Sequence, residues 1–245
     1  ARGRTLDWDG YLNCRDLGGL ATPSGSTQSG RVARGPRREL LTTTGWTQAR
    51  AWGLHTVIDL RCADEIGARD GDPIPDMGDL DEIDVVLSPT EDHANPEFRE
   101  VCFPILDSPE YWPHNLRILP GMIHRTLEAI AHAKPGILIH CSAGRDRTGM
   151  ITTLLLANAG VAPDVIADDY AESVRAMAGL NANSPTQDRQ SLWNSAEVAD
   201  WLAQAVPLVM NFAAEIDRHI QCAGLDHHAR HRLRALLLTA RPDAP

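Results

Sequence analysis

Residues 135–149, PGILIHCSAGRDRTG, decide how the chain is read. GILIH is a short apolar, β-branched run after Pro135-Gly136, the pattern of a strand buried on both faces. A stretch of small and charged residues follows, and RTGMITTLLLANAG (147–160) is a nearly all-apolar helix that Gly160 ends. Cys141 thus sits at the end of a strand and faces the unpartnered N–H groups of a helix start. Those donors and the helix dipole favour a thiolate, so its pKa is expected below the free value of about 8.5. The same N–H cradle suits a tetrahedral oxyanion such as phosphate. Arg147, six residues on, is spaced to fold over the loop and hold two phosphate oxygens. Gly144 and Gly149 permit turns that a Cβ would obstruct. Thiolate, N–H ring and arginine fork together point to phosphoryl transfer through a cysteinyl-phosphate, which requires no metal. A lone cysteine is more often a packing group. The strand before it, the glycine within the loop and the helix after it separate the two readings.

Outward from this loop, the first half of the chain has the look of strands and turns. GYLNCRDLGGL (10–20) is extended and broken at Gly18-Gly19, ATPSGSTQSG (21–30) is a hairpin connection, and GRVARG (30–35) is its return strand. GWTQARAWGL (45–54) has helical spacing. HTVIDL (55–60) and EIDVVLSP (82–89) are strands, with VCFPIL (101–106) a further strand in an irregular stretch. NLRILPGMIHRTLEAIAHA (115–133) is helical, bent or restarted at Pro120-Gly121. PDVIADDYAESVRAM (163–177) starts on a first-turn proline and carries Ile166, Tyr170, Val174 and Met177 on one face. NANSPTQDRQSLWN (181–194) is polar and turn-like, residues 198–220 form a helix kinked near Pro207, and HARHRLRALLL (228–238) is the last helix. Strands interleaved with helices predict an α/β fold in a single domain over 1–245. Its centre is a mainly parallel sheet flanked by helices, with a helical C-terminal half.

The 245 residues are 43% hydrophobic and carry a formal net charge of -10. That balance argues against nucleic acid as a partner and against adsorption to anionic membranes, so an anionic substrate needs a local cationic pocket. No apolar stretch approaches the ~20 residues of a membrane span, and no stable membrane insertion is expected. ARGRTLDWDG at the N-terminus lacks the apolar core of a signal peptide. The expected location is the cytoplasm, or outside the cell without a visible signal peptide. Cys14, Cys62, Cys102, Cys141 and Cys222 are odd in number and form no CxxC pair, which predicts reduced thiols, no disulfide framework and no zinc site. Lys134 is the single lysine, so nearly every basic residue is arginine.

HCSAGRDRTG resembles HCxxGxxR, the signature of the cysteine-based protein tyrosine phosphatases. More narrowly it is similar to HCxAGKDRTG, found in the bacterial family of mycobacterial protein tyrosine phosphatase B and related lipid phosphatases. NCRDLGG (13–19) is similar to that family's NFRDLGG, TVIDLRCADE (56–65) to its VIDLRSxxE, and IADDYAESV (166–174) to the helix after its phosphate loop. The likeness spans nearly the whole chain. It implies a tyrosine phosphatase-like fold with the phosphate-binding loop at 140–149 and a lid or mobile segment over about 178–200. It implies hydrolysis of phosphotyrosine on proteins, with phosphoinositides or phosphoserine/threonine as further substrates, and no cofactor or metal. Carried onto this sequence, Cys141 is the nucleophile and Arg147 the phosphate clamp. Ser142, Ala143, Gly144, Arg145 and Asp146 supply loop N–H groups. His140 braces the loop and lowers the cysteine pKa, and Thr148 donates a hydroxyl to the thiolate. Two positions depart from the pattern. Arg145 replaces the lysine associated with phosphoinositide substrates, keeping the charge but not the geometry. Cys14 replaces a phenylalanine.

A leaving phenolate or alkoxide needs a proton, and three aspartates compete to give it. Asp146 lies in the loop, and the resemblance favours it as acid and then as base for water; its plainer role is an ion pair with Arg145. Asp59 ends HTVIDL on the edge where open α/β sheets bind ligands, and its plainer role is a buried pair with Arg61 or Arg15 that fixes loops. Asp107, in FPILDSPE, lies in a stretch like the mobile acid loop of the larger tyrosine phosphatases, without its WPD signature. His227, His228 and His231 share part of a helix face and are either a metal set or, more simply, a solvated helix end. Trp193 is a lid or lipid-contact candidate, while Trp201 fits the core. Beside a phosphotyrosine phosphatase stand a phosphoinositide-preferring lipid phosphatase and, from other classes, a rhodanese-like sulfurtransferase or an inactive phosphate-binding module. The sequence sets no oligomeric state.

Overall fold

A computed structural model of the chain describes residues 3–76, 78, 82–180 and 184–239. Its sheet contains, in spatial order, β1 (Arg15–Asp16), β4 (Val32–Gly35), β7 (Ile137–His140), β5 (Thr56–Asp59) and β6 (Asp84–Leu87). The strands β2 (Ala21–Thr22) and β3 (Gly25–Ser26) pair separately as a hairpin. β4, β7, β5 and β6 are parallel, and β1 runs antiparallel to β4. This is the mainly parallel α/β sheet that the sequence predicts. Register places Gly35, His140 and Asp59 side by side at the ends of the three central strands. The loop after β7 therefore emerges between the loops after β4 and β5, and that shared edge positions the site.

Alternation along the strands divides the core. Val32, Ile58, Ile137 and Ile139 face the larger apolar cluster, and Ala33, Val57 and Leu138 face the smaller one. The smaller cluster is closed by Trp8, Tyr11 and α1 (Thr43–Trp52), a helix capped by Thr42 and stopped by left-handed Gly53. β4, β5 and β7 are covered on both faces, and every residue in them is buried. β6 lies at an edge and leaves Val85 and Leu87 exposed. The larger face packs α3 (Trp112–Ile118), α4 (Pro120–His132), α5 (Arg147–Asn158), α6 (Pro163–Met177), α7 (Ser195–Ala214), α8 (Ile216–Cys222) and α9 (His227–Leu238). Nearly every residue of α5 is buried, which accounts for its apolar composition.

Three expectations change in detail. VCFPIL is not a strand. Asn95 caps α2 (Pro96–Cys102), which passes into a 3-10 turn at Phe103–Ile105. A short apolar run carries no period that separates strand from helix, and Pro104 has no N–H for a ladder. Pro120 restarts a helix instead of bending one. The helix expected over 198–220 accommodates Pro207 and breaks later, at Glu215, between α7 and α8. Among the described residues no helix is long and apolar enough to cross a membrane.

A buried carboxylate ties α6 to β1, β4 and the N-terminal segment. Asp169 accepts from Arg4 Nη2 at 2.8 Å, Arg15 Nε at 3.0 Å and Arg34 Nη1 at 2.7 Å. Burial alone would raise its pKa, but the three guanidiniums hold it well below the usual carboxylate range. Asp169→Asn leaves three buried cations without their counter-charge and should cost about 3–5 kcal/mol in urea unfolding at neutral pH. Because the folded pKa is depressed, the stabilisation is present above the unfolded carboxylate pKa and is lost as pH falls. The variant should therefore lose stability less steeply in acid; a loss under about 1 kcal/mol at neutral pH would show that the tie is dispensable.

Candidate active site

The loop Cys141–Asp146 joins β7 to α5, and each of its carbonyls is already bonded. His140 Nδ1 donates to Cys141 O at 2.9 Å, and the Arg37 N–H to Ser142 O at 2.9 Å. Asn13 Nδ2 donates to Ala143 O at 3.0 Å and Gly144 O at 3.2 Å, and Arg34 Nη2 reaches Gly144 O at 2.8 Å. Gly149 and Met150 N–H groups take Arg145 O and Asp146 O at 3.1 and 2.9 Å. In a trans peptide C=O and N–H point opposite ways, so holding the carbonyls turns the intervening N–H groups the other way. Asp146 provides no side-chain cap, which leaves first-turn donors of α5 for a ligand. Such a ring can receive a tetrahedral oxyanion. Gly144 adopts φ +70°, and a Cβ on it would lie 2.5 Å from the Gly35 carbonyl. Asn13 is itself left-handed, at φ 62°, and Arg15 Nη1 holds its Oδ1 at 2.7 Å.

His140 is fully buried. Burial pushes its imidazole down to about 4 against the pull of Asp59, so it is neutral near pH 7. With the proton on Nδ1, Nε2 accepts from Arg38 Nη1 at 3.2 Å. Its support of the loop is a hydrogen bond and not a charge. Thr148 Oγ1 is buried and makes no hydrogen bond among the described residues.

Arg147 opens α5 and is pinned along one edge. Its Nη1 and Nη2 donate to Glu65 Oε2 at 2.6 Å and Oε1 at 2.8 Å, and its Nε lies 3.8 Å from Glu91 Oε1. Burial opposes its charge, but Glu91 and Glu65 hold the guanidinium pKa well above its ordinary value. Glu65, which burial would raise, is held low by the same bonds. The donors that Glu65 leaves unused are available to an anion.

The three competing aspartates sit in different company. Asp59 accepts from Arg61 Nε at 3.0 Å, Nη2 at 2.9 Å and the Arg61 N–H at 3.1 Å, and also from Arg38. Burial would raise its pKa, yet Arg61 and His140 hold it well below the carboxylate range. It is a fixed anion paired with Arg61 and Arg38, while Arg15 goes to Asp169. Asp107 is occupied by Arg189, which donates through Nε at 2.8 Å, Nη2 at 2.5 Å and its backbone N–H at 3.0 Å. Asp146 keeps 17% of its side chain open, and among the described residues its carboxylate accepts from Arg145 alone, at 3.0–3.3 Å. Burial pushes it up to about 6; Arg145 pulls the other way, and Asp188 and Asp107 add to the rise.

Arg145 is 1% exposed and spans Asp146 and Asp188, each at 3.0 Å. Its Nη1 is buried and makes no hydrogen bond among the described residues. Through Asp188, and through the Asp107–Arg189 pair, the segment after residue 184 is fastened over the loop. Gln190 Nε2 adds a bond to Asp107 O at 2.7 Å. The enclosed pocket measures about 30 Å³, between Cys141, Asp146 and Arg147 below and Ser184, Pro185 and Asp188 above. That admits a water or two and no aryl phosphate. Within the expected 178–200 segment, residues 181–183 lie outside the described residues. Its remainder contains a 3-10 turn (Arg189–Leu192) and the start of α7. Trp193 packs on Trp201 with ring centroids 5.1 Å apart. His227, His228 and His231 are exposed on α9.

Of the loop residues named from the sequence, Cys141, Ser142, Ala143, Arg145, Asp146 and Arg147 line the pocket, and His140, Gly144 and Thr148 do not; Asp59, paired with Arg61, lies 3.9 Å from His140 Nε2. Sequence reasoning missed Asn13, Arg34, Glu65 and Glu91. Asn13 and Glu65 lie inside the NCRDLGG and TVIDLRCADE blocks, a signal that marks them without giving a role. No spacing signal points to Glu91.

A sequence-family model described as a tyrosine phosphatase family matches residues 6–239. The chain is 28% identical over 272 residues to the triple specificity protein phosphatase PtpB of Mycobacterium tuberculosis, covering 94% of this chain and 97% of that protein. It is 30% identical over 199 residues to H16_A0669 of Cupriavidus necator, named provisionally as a tyrosine-protein phosphatase, covering 72% of this chain and 65% of that protein.

Gly144→Ala tests the loop geometry. The added Cβ meets the Gly35 backbone and the residue must hold a positive φ, so the loop has to shift. Equilibrium dialysis with orthovanadate should show at least a roughly 100-fold loss of affinity, the scale of a 1 Å misplacement. Unchanged affinity would mean that the carbonyl-held loop does not form the anion site.

Proposed function

The chain belongs to the tyrosine phosphatase family, and on that premise we propose that it hydrolyses phosphotyrosine through a cysteinyl-phosphate, with Cys141 as nucleophile, Arg147 as clamp and Asp146 as proton donor. The observation that carries this reading is the shared pocket of Cys141, Arg147 and Asp146, in which Asp146 is the aspartate with a raised pKa, pushed up to about 6. Asp59 is locked as an anion and Asp107 is spent on Arg189.

In the first step the Cys141 thiolate attacks phosphorus and the P–O bond to the tyrosine ring breaks. Asp146 gives its proton to the leaving phenolate. The loop N–H groups and Arg147 hold the three non-bridging oxygens as charge redistributes over them. In the second step Asp146, now a carboxylate, takes a proton from water, the water oxygen attacks phosphorus, and the S–P bond breaks. Inorganic phosphate and the Cys141 thiolate result. Thr148, whose buried Oγ1 makes no hydrogen bond, supplies a hydroxyl to the departing sulfur.

Phosphoinositides and phosphoserine/threonine are proposed as secondary substrates, supported by the triple specificity in the name of the relative PtpB. Phosphotyrosine is placed first because Arg145, which stands where the resembling enzymes carry lysine, is occupied by Asp146 and Asp188. The segment after residue 184 is proposed to act as a lid, since a pocket of about 30 Å³ must open for any of these substrates.

Cys141→Ser should abolish turnover of para-nitrophenyl phosphate while still binding orthovanadate; turnover near the wild-type rate would sink the covalent mechanism. A donor must be protonated, so kcat should fall as pH rises through about 6. In Asp146→Asn that limb should vanish, and poor leaving groups should slow by roughly 100-fold or more, good ones far less. Equal slowing of both classes would assign Asp146 a positioning role. Arg189→Ala removes a half-exposed latch worth about 1 kcal/mol, so KM for aryl phosphates should drop about fivefold. An unchanged KM would argue against a closed lid.

A further inference from the structure

Three metal-ligating groups meet beside the pocket. Cys62 and Glu65 follow β5, His93 follows β6, and their ligand atoms lie within 4.8 Å of one another. Among the described residues this is the one such convergence of three His, Cys or carboxylate groups. The Cys62 N–H donates to Glu65 Oε2 at 2.8 Å, Cys62 Sγ lies 3.4 Å from Glu91 O, and His93 Nε2 lies 2.6 Å from Glu91 Oε2. All three ligands are half-buried, so no charge has to be drawn from the deep core. Cys62 and His93 also line an open groove of about 730 Å³, which gives an ion a way in and a water room on its fourth position.

Thiol, imidazole and carboxylate form the donor set of a borderline-soft transition ion; magnesium and calcium would take oxygens alone. We infer that Cys62, His93 and Glu65 bind a zinc-class divalent ion, and that the ion acts on Arg147 through Glu65. A tetrahedral ion with bonds of about 2.0–2.3 Å spaces its ligand atoms by roughly 3.3–3.8 Å, so side-chain rotation of about an ångström closes the set. As the Sγ–metal and imidazole–metal bonds form, the Cys62 thiol proton and the imidazolium proton that Glu91 holds on His93 both pass to solvent. Glu65 Oε2 is the oxygen shared by the Cys62 N–H and Arg147 Nη1. A carboxylate oxygen given to the metal reduces the two-point grip on Arg147 to one. The clamp loosens, and the ion inhibits by raising KM. Cysteine spacing gives no sign of this site because its ligands come from two loops that only the fold brings together.

Cobalt(II) titration of the Cys141→Ser protein, in which the pocket thiol is gone, reads the site directly. One ion should bind per chain with a thiolate-to-cobalt charge-transfer band. Cys62→Ser on that background should erase the band. His93→Gln should keep the band and weaken zinc affinity by at least the roughly tenfold to 100-fold that loss of a supporting group costs a metal site. No stoichiometric binding, or a band that survives without Cys62, overturns the assignment. These spectra stand whether or not aryl phosphate is hydrolysed. In the otherwise wild-type enzyme, stoichiometric zinc should raise KM for para-nitrophenyl phosphate, and Cys62→Ser should remove that response. Inhibition that persists in Cys62→Ser would put the ion on Cys141 and sink the proposed coupling.

Discussion

Three arginines on one buried carboxylate set the geometry of everything in front of them. Asp169 holds Arg34, whose second nitrogen holds Gly144 O, and it holds Arg15, which in turn orients Asn13 on Ala143 O and Gly144 O. The chain of contact runs from α6 through β4 and the segment beside β1 to the loop after β7. Charges buried this far from water are tolerated when they are paired and hydrogen-bonded. Arg15 meets that demand with four acceptors: Asn13 Oδ1, Asp169 Oδ1, Asp169 O and Ser173 Oγ. The loop is therefore held in place from behind, through its carbonyls.

The same residue type serves opposite ends a few residues from each other in space. Asp59 meets a bidentate arginine, a backbone N–H and a second arginine, and every one of these favours its anion. Asp146 meets one arginine that is shared with Asp188, and two further carboxylates lie near it. Arginine alone does not make a carboxylate a poor acid; the ratio of guanidiniums to carboxylates around it does. Two pairs of neighbours with contrary balances hold one aspartate charged and let the other take up a proton near neutral pH.

How much of this was legible in the chain follows from how local each feature is. GILIH, HTVIDL and the helix 147–158 show themselves because strand and helix periods are written in consecutive residues. The strand–cysteine–glycine–arginine order is equally local, so Cys141 and Arg147 stood out. VCFPIL misled because a short apolar run fits either period and its neighbours, Asn95 and Pro96, start a helix upstream of it. Glu65 and Glu91 were out of reach, since their partner Arg147 lies 82 residues from the first and 56 from the second. The choice among Asp146, Asp59 and Asp107 depends on which arginine each one meets, and spacing carries no information on that.

The proposed lid and the proposed acid would be linked by charge. As the segment lies here, Asp188 shares Arg145 Nη2 with Asp146 and adds its own negative field. Both effects favour the protonated form of Asp146. Were the segment after residue 184 to swing out, Asp188 would leave with it and Arg145 would turn wholly to Asp146. Water would also reach the carboxyl and favour its anion. Opening of the proposed lid would thus lower the pKa of Asp146, and closing would restore it. A proton donor tuned in this way is competent when the pocket is shut around a substrate and a poor donor when it stands open to water. The proposed closure would then decide when the leaving oxygen can be protonated as well as what can enter, with the Arg145 substitution as the hinge between the two. A lysine there could offer one ammonium to two carboxylates, whereas the planar fork addresses both at once.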